Sequence, residues 1–218
     1  MSIRPSTSIS LFTLSSTLVT ALALAACVGD GSDDDDSGLG ADETGDGDSN
    51  GGTSGGDGDT NAPVPDNAYC QPTVGWDPEW VARELEVLEL VNQARATGGD
   101  CGSQGSFPAS GALALEGSLM CAARVHSKDM ADNNYFDHDN LQGNGPGWRM
   151  GQAGYAGNGW GENIAAGYGD PQAVVDGWLD SDGHCANMLN PSFSKIGIGY
   201  AFQSSSDYGN YWTQTFGN

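Results

Sequence analysis

Residues 195–202 read KIGIGYAF, and this alternation is the clearest fold signal in the chain. Ile196, Ile198 and Tyr200 alternate with glycine or polar positions, which is typical of a strand with one buried face. A second strand is predicted from Tyr211 to Phe216. The chain is therefore expected to end in a β-hairpin.

Helical patterns precede this hairpin. Leu85, Leu88 and Val91 recur at helical spacing before Gly98, which predicts a helix with one apolar face. A glycine-rich stretch, residues 143–161, is predicted to be mostly loop. Helices flanking strands indicate a layered α+β domain. The predicted helices cover residues 79–96, 116–133, 171–179 and 184–189.

The first 27 residues are typical of an export signal. Arg4 precedes an apolar run, residues 11–26, that is short for a membrane-spanning helix, which needs about 20 residues. The run ends in LAAC, residues 24–27, which resembles a lipobox whose cysteine takes a diacylglycerol. The alternatives are an ordinary secretory peptide and a transmembrane helix. We expect Cys27 to be lipidated and to anchor the protein to a membrane of the cell envelope.

The cellular address depends on the host. Residue Gly29 stands two places after Cys27, where an aspartate would resemble the signal for retention in an inner membrane. A Gram-negative host would therefore carry the protein in its outer membrane.

The charge of the chain excludes one class of partner. There are 29 acidic and 7 basic residues, a formal net charge of -22, so binding to nucleic acid is not expected. Residues 28–68 hold 12 of the acidic residues and no basic one. Such a segment has too little apolar surface to fold, and it is predicted to be a disordered tether.

Residues 69–218 have the composition of one folded domain. All six Trp and all seven Tyr of the chain lie here, together with four cysteines. An even number of cysteines in an exported protein predicts two disulfides, and the sequence leaves all three pairings open. A zinc site made of the four thiols is the alternative, although no CxxC motif supports it. The four cysteines are Cys70, Cys101, Cys121 and Cys185.

Three residues are candidates for a functional site. His138, Glu162 and His184 each lie at the mouth of a predicted loop or at a helix start. Two imidazoles and a carboxylate can bind a divalent metal such as zinc, or transfer protons near neutral pH. By spacing alone, three unrelated polar residues with local hydrogen bonds are the simpler interpretation.

An ordered set of short motifs changes this balance. The strings FDH, GENIA, GHCANML, GIGYA and YWTQTFG follow one another between residues 136 and 217, and the similarity extends back to residue 84. Together they resemble the CAP superfamily, which includes cysteine-rich secretory proteins, antigen 5 and plant pathogenesis-related proteins. The resemblance implies a three-layer α/β/α sandwich with a cleft that holds two histidines and two glutamates.

The resemblance assigns the cleft residues one by one. His138, Glu162 and His184 match the first histidine, the first glutamate and the second histidine, and the two histidines are the implied metal ligands. The second glutamate is replaced by Ser181, so a three-residue version of the site is expected. His126 and Asp180 are expected beside the site, as supporting residues.

Three functions remain open at this stage. The favoured one is a monomeric, non-enzymatic binding module whose cleft takes an extracellular lipid or peptide ligand, with an optional divalent ion. The second is a metal-dependent hydrolase that uses the same cleft, although no HExxH motif supports a zinc protease. The third is a structural surface protein without an active cleft.

Overall fold

The computed structural model describes residues 25–29 and 62–218. The predicted helices of residues 79–96, 116–133, 171–179 and 184–189 are confirmed to within two residues at each end. The helices are α1 (Pro78–Thr97), α2 (Gly117–Asn133), α3 (Pro146–Ala153), α4 (Pro171–Leu179) and α5 (Asp182–Leu189). The strands are β1 (Ala25–Gly29), β2 (Gly99–Asp100), β3 (Ser106–Phe107), β4 (Ala114–Leu115), β5 (Trp160–Ala166), β6 (Lys195–Phe202) and β7 (Asn210–Gly217).

Five of the strands form one sheet in the order β1-β5-β7-β6-β4. The C-terminal hairpin that the alternating pattern predicts is present as β6 and β7, which pair antiparallel with Tyr200 opposite Trp212. On the other side of β7, β5 pairs antiparallel with Glu162 opposite Thr215. Only β4 runs parallel to its neighbour, β6. Strands β2 and β3 form a separate small ribbon.

The two faces of the sheet differ in side-chain size, and this difference sets the layers. On one face, a Cβ atom at Gly197 or Gly199 would lie within 2.6 Å of the backbone of α2, so only glycine lets the helix approach this closely. On the other face, Ile196 and Ile198 pack in a core cluster with residues of α1, α4 and α5. The predicted three-layer α/β/α sandwich is therefore confirmed.

The ends of the helices follow the local sequence. Asp77 caps α1 ahead of Pro78, and its side chain accepts a hydrogen bond from the backbone N–H of Glu79. Asp170 caps α4 ahead of Pro171 in the same way, through the N–H of Ala173.

The prediction that residues 143–161 are mostly loop is wrong. This stretch contains α3 and the first two residues of β5. Its glycines include the residues that delimit the helix: Gly145 precedes Pro146 at the start, and Gly154, with φ of 96°, ends it in the left-handed conformation. A high glycine content here indicates helix ends, not the absence of a helix.

The four cysteines of the domain form two disulfides, Cys70–Cys121 and Cys101–Cys185. The first joins the start of the domain to α2, and the second joins the short ribbon region to α5. The predicted number of bridges is confirmed, and the alternative of a four-thiolate zinc site is wrong.

The export signal and most of the tether lie outside the described residues, which omit 1–24 and 30–61. Cys27 lies within β1. The end of the predicted tether contacts the domain: Val64 packs against an apolar cluster and the Asn67 side chain donates to the Ala153 carbonyl oxygen. The prediction of disorder does not hold for these last residues, because Val64 supplies apolar surface. Within the described residues, no helix has the length and apolar character needed to cross a membrane.

Candidate functional site

Glu162 is the centre of the candidate site. It lies on β5 with a fully buried side chain, and both of its carboxylate oxygens accept hydrogen bonds. Nη2 of Arg149 lies 2.9 Å from Oε1 and 2.7 Å from Oε2, and Nδ1 of His138 lies 2.8 Å from Oε1. The structure thus brings Glu162 and His138, which are 24 residues apart, into direct contact.

Arg149 holds the loop that carries His138. Its Nη1 donates to the carbonyl oxygens of His138, at 2.6 Å, and Asn144, at 3.1 Å. The guanidinium is buried and lies on α3, the helix that follows this loop. One cation therefore fixes both the carboxylate of Glu162 and the backbone of His138.

The protonation state of the pair follows from these contacts. Burial alone would raise the pKa of Glu162, but the charge of Arg149 and the hydrogen bond from His138 outweigh it and hold the pKa below its usual value. Because Glu162 is an ionised acceptor, Nδ1 of His138 must carry the proton. In the neutral ring Nε2 is the acceptor nitrogen, and it is buried without a hydrogen-bond partner among the described residues.

His126 supports the same loop from α2. Its ring is completely buried, and Nε2 lies 3.0 Å from the carbonyl oxygen of Asp137, the residue before His138. Since a carbonyl oxygen only accepts, Nε2 carries the proton. Burial lowers the pKa of His126 to about 3, so the ring is neutral at physiological pH. Its contacts are those of a positioning group that holds the backbone of the loop.

His184 lies across β5 from the other two residues. Successive side chains of a strand point to opposite faces, so Asn163 points away from the face that carries Glu162. Nδ2 of Asn163 donates to the carbonyl oxygen of His184 at 3.1 Å, which places the backbone of α5 on the Asn163 side. Asn187, also on α5, donates to the backbone oxygen of Glu162 at 3.2 Å. The three candidates therefore surround one strand instead of sharing one face.

This arrangement does not fit a preformed metal centre. The described residues contain no group of three His, Cys, Asp or Glu side chains placed to hold a metal ion. Both oxygens of Glu162 already accept hydrogen bonds from Arg149. Asp180, predicted to support the site, is exposed at the C-terminal cap of α4. The metal stays a prediction from family resemblance.

Arg149 is the functional residue that the sequence analysis missed. Only six basic residues occur from residue 69 onward, and Arg149 is one of them. It lies in the stretch interpreted as loop, which hid its position on a helix. The scarcity of basic residues in a strongly acidic domain is the signal that could have identified it, because a buried carboxylate needs a partner of opposite charge.

Comparison with known proteins identifies the family. Residues 88–216 match the family model of CAP, the cysteine-rich secretory protein family, over more than half of the chain. The chain belongs to the CAP family. The matched range includes the candidate site and all of the main sheet except β1 and Gly217, the last residue of β7.

The similar proteins are bacterial. The uncharacterized protein YkwD of Bacillus subtilis is 39% identical over 135 residues, which is 62% of this chain and 47% of the relative. The uncharacterized membrane protein YlbC of the same organism is 30% identical over 141 residues, 65% of this chain and 36% of the relative. A crystal structure of an extracellular protein containing an SCP domain from Bacillus anthracis is 31% identical, with a TM-score of 0.51.

The match to these proteins is partial in both directions. The alignment with the B. anthracis structure covers 63% of this chain and 40% of that one. The CAP domain spans less than half the length of the two curated relatives. The similarity is therefore evidence about the domain and its fold.

Proposed function

We propose that this protein is an exported, lipid-anchored CAP module that binds a ligand beside the Glu162–His138 pair and does not turn it over. One observation carries the proposal. Glu162 is fully buried, the side chain of His138 is 11% exposed, and Nε2 of His138, the acceptor nitrogen of the neutral ring, has no partner among the described residues. An oriented acceptor of this kind recognises a ligand N–H or O–H group, since a buried polar atom gains most from a partner.

The same geometry argues against catalysis. Glu162 accepts two hydrogen bonds from Arg149 and one from His138. A general base needs a carboxylate oxygen that can take a proton from the substrate, and both oxygens of Glu162 are already engaged. Nucleophilic catalysis needs a hydroxyl or thiol within hydrogen-bond reach of the imidazole. Within the described chain, no serine, threonine or cysteine side chain is hydrogen-bonded to His138.

The proposed location comes from the export signal and from one relative. The LAAC sequence before residue 28 resembles a lipobox, and lipid on Cys27 would anchor the chain. The B. anthracis protein, 31% identical, is described as extracellular. The acidic segment after Cys27 would keep the domain away from the membrane surface, because its charges repel one another and extend it.

Turnover assays test the proposal against the hydrolase alternative. The full chain is incubated with fluorescent casein and, separately, with labelled peptidoglycan, and the Glu162→Gln variant serves as the matched control. We expect product at the level of the blank for both chains. Product from the parent chain that disappears in Glu162→Gln would overturn the proposal and assign the pair to catalysis.

Metabolic labelling tests the anchor separately. Cells that express the chain are grown with an alkyne analogue of palmitate, and the Cys27→Ser variant is the control. We expect label on the parent chain and none on Cys27→Ser. Equal labelling of both chains, or none on either, would contradict lipidation at Cys27.

A further inference from the structure

The outer edge of β5 adjoins the candidate site and is covered by a short separate segment. On its inner side, β5 pairs with β7 along all seven residues. On its outer side, residues 160–164 pair antiparallel with β1, and Cys27 lies opposite Glu162. Within residues 62–218, no other strand pairs with this edge.

This edge is buried in the folded chain while β1 pairs with it. Glu162, Asn163 and Ile164 are inaccessible to solvent in the folded chain. The outer backbone N–H and C=O groups of a buried strand cost about 1–3 kcal/mol each when nothing pairs with them. Helix α5 contacts β1 as well as β5, so the space beside β5 accommodates one extended chain.

Removal of the export signal would leave this edge incomplete. Cleavage before the lipobox cysteine would remove Ala25 and Ala26, the residues that lie opposite Ile164 and Asn163. The remaining three residues of β1 would carry a lipid at their first position. The pairing seen along β5 then becomes available to a different segment, an argument that rests on the function proposed above.

We propose that the outer edge of β5 is a peptide-binding site, on which an extended segment of another polypeptide adds as an antiparallel strand. Backbone hydrogen bonds supply the affinity in such strand addition, and side-chain pockets supply the specificity. The segment that occupies the edge in this structure is AACVG, so the site accepts a run of mostly small residues. Since residues 69–218 contain 17 acidic and 6 basic residues, the favoured peptide is neutral or basic.

The position of the edge links it to the site. Glu162 contributes its side chain to the pair with His138 and lies opposite Cys27 on the edge. Asn163, its neighbour, binds the backbone of α5 on the opposite face. An added strand would therefore lie between His138 on one side and α5, which carries His184, on the other.

A proline pair in β1 tests the proposal with the full chain. The parent is Cys27→Ser, which removes the lipidation site and keeps β1 in the chain. The test variant is Cys27→Pro/Val28→Pro. One of any two consecutive strand residues points its backbone N–H at the neighbouring strand. Because proline has no N–H, the pair removes a hydrogen bond between β1 and β5 in either case. The matched control carries the same pair in the acidic segment, as Ser49→Pro/Asn50→Pro added to Cys27→Ser.

The probe is a fluorescein-labelled peptide of residues 24–29 with serine at position 27, and its binding is followed by fluorescence anisotropy. We expect the test variant to bind it at least ten-fold more tightly than the parent or the matched control, whose edges are occupied. We also expect amide exchange in residues 160–164 to accelerate in the test variant and to slow again when the peptide is added. A second peptide with proline at positions 27 and 28 is expected to bind at least ten-fold more weakly.

Three results would overturn the proposal. They are equal binding of the peptide by all chains, equal binding of the proline peptide by the test variant, and amide exchange in residues 160–164 that the proline pair leaves unchanged. These results do not depend on the turnover and labelling assays, so this inference can fail while the proposed function stands. Conversely, turnover of casein would contradict the proposed function and leave strand addition intact.

Discussion

The domain buries two glutamate–arginine pairs, and their surroundings differ. Glu84 on α1 lies 2.5 Å from Nη2 of Arg124 on α2, and its other oxygen accepts from the Trp76 indole at 2.8 Å and the backbone N–H of Tyr200 at 3.1 Å. The donors to Glu84 thus come from α2, from β6 and from Trp76, which precedes α1. This core pair ties both helical layers to the sheet.

The pair at the site contains one group of a different kind. Glu162 accepts from Arg149, as Glu84 does from Arg124, but its third donor is the imidazole of His138. The second nitrogen of that ring has no hydrogen-bond partner among the described residues. Both buried carboxylates pair with an arginine, but their surroundings differ. Glu84 completes the core, and Glu162 orients the ring of His138.

Replacing either arginine gives the largest expected effect. Arg124→Met and Arg149→Met each leave a buried carboxylate without its cation, and we expect each to lower the free energy of unfolding by about 3–5 kcal/mol. Urea denaturation at pH 7 measures the loss. Adding Glu84→Gln to the first variant and Glu162→Gln to the second should restore part of it, because the uncompensated charge is then gone. A loss below 1 kcal/mol for either arginine would contradict the ion-pair account.

Acidification is expected to destabilise the domain through His126. The ring has a pKa of about 3 in the folded chain and about 6.5 when unfolded, so protons bind preferentially to the unfolded chain between these values. Stability is therefore retained above pH 6.5 and lost as the pH falls towards 3, by about 1.4 kcal/mol per pH unit. Glu162, whose pKa is also lowered, adds a loss in the same direction below its unfolded value.

The variant His126→Gln separates these two contributions. Glutamine can keep an N–H for the carbonyl oxygen of Asp137 but does not titrate. We expect the slope of unfolding free energy against pH, measured by urea denaturation between pH 4.8 and 6.2, to fall by about one proton in His126→Gln. An unchanged slope would show that His126 is not the titrating group.

The secondary structure was predictable where one principle dominated the local sequence. The alternation in residues 195–202 and the Asp170–Pro171 cap both describe local chemistry, and both elements are present. Helix α3 was missed because its interior contains Gly147 and Gly151, which have low helix propensity. Its stability comes from packing: Met150 and Ala153 are buried against α2 in one apolar cluster.

The site was predictable in part for a similar reason. Family resemblance identified His138 and Glu162, and the structure joins them directly. It could not show that Arg149 neutralises Glu162, because that contact depends on a helix that the local sequence did not reveal. The side of β5 on which His184 lies depends on the register of that strand. The sequence did not predict β5, so it could not predict this side.

Removal of one neutral donor from each pair is expected to have a moderate effect. Trp76→Phe deletes the indole N–H that donates a hydrogen bond to Glu84. His138→Ala deletes the imidazole N–H that donates a hydrogen bond to Glu162. In each case Arg124 or Arg149 remains, so we expect a loss of about 1 kcal/mol in the free energy of unfolding. Urea denaturation of the two variants measures this, and a loss above 3 kcal/mol in either would mean that its arginine is not the main partner.

The smallest expected effect is spectroscopic, and it separates the two supporting histidines. Nitrogen-15 NMR of the imidazoles at pH 7.5 should show His126 protonated at Nε2 and His138 protonated at Nδ1, because each ring donates to an acceptor-only oxygen. In Glu162→Gln, the side-chain amide can present either an acceptor or a donor to His138. We therefore expect the Nδ1 resonance of His138 to shift and the nitrogen resonances of His126 to stay unchanged. The Glu84→Gln variant should leave both rings unchanged, since no described hydrogen bond joins Glu84 to a histidine. Protonation of His138 at Nε2 in the parent chain would contradict the oriented acceptor on which the binding proposal depends.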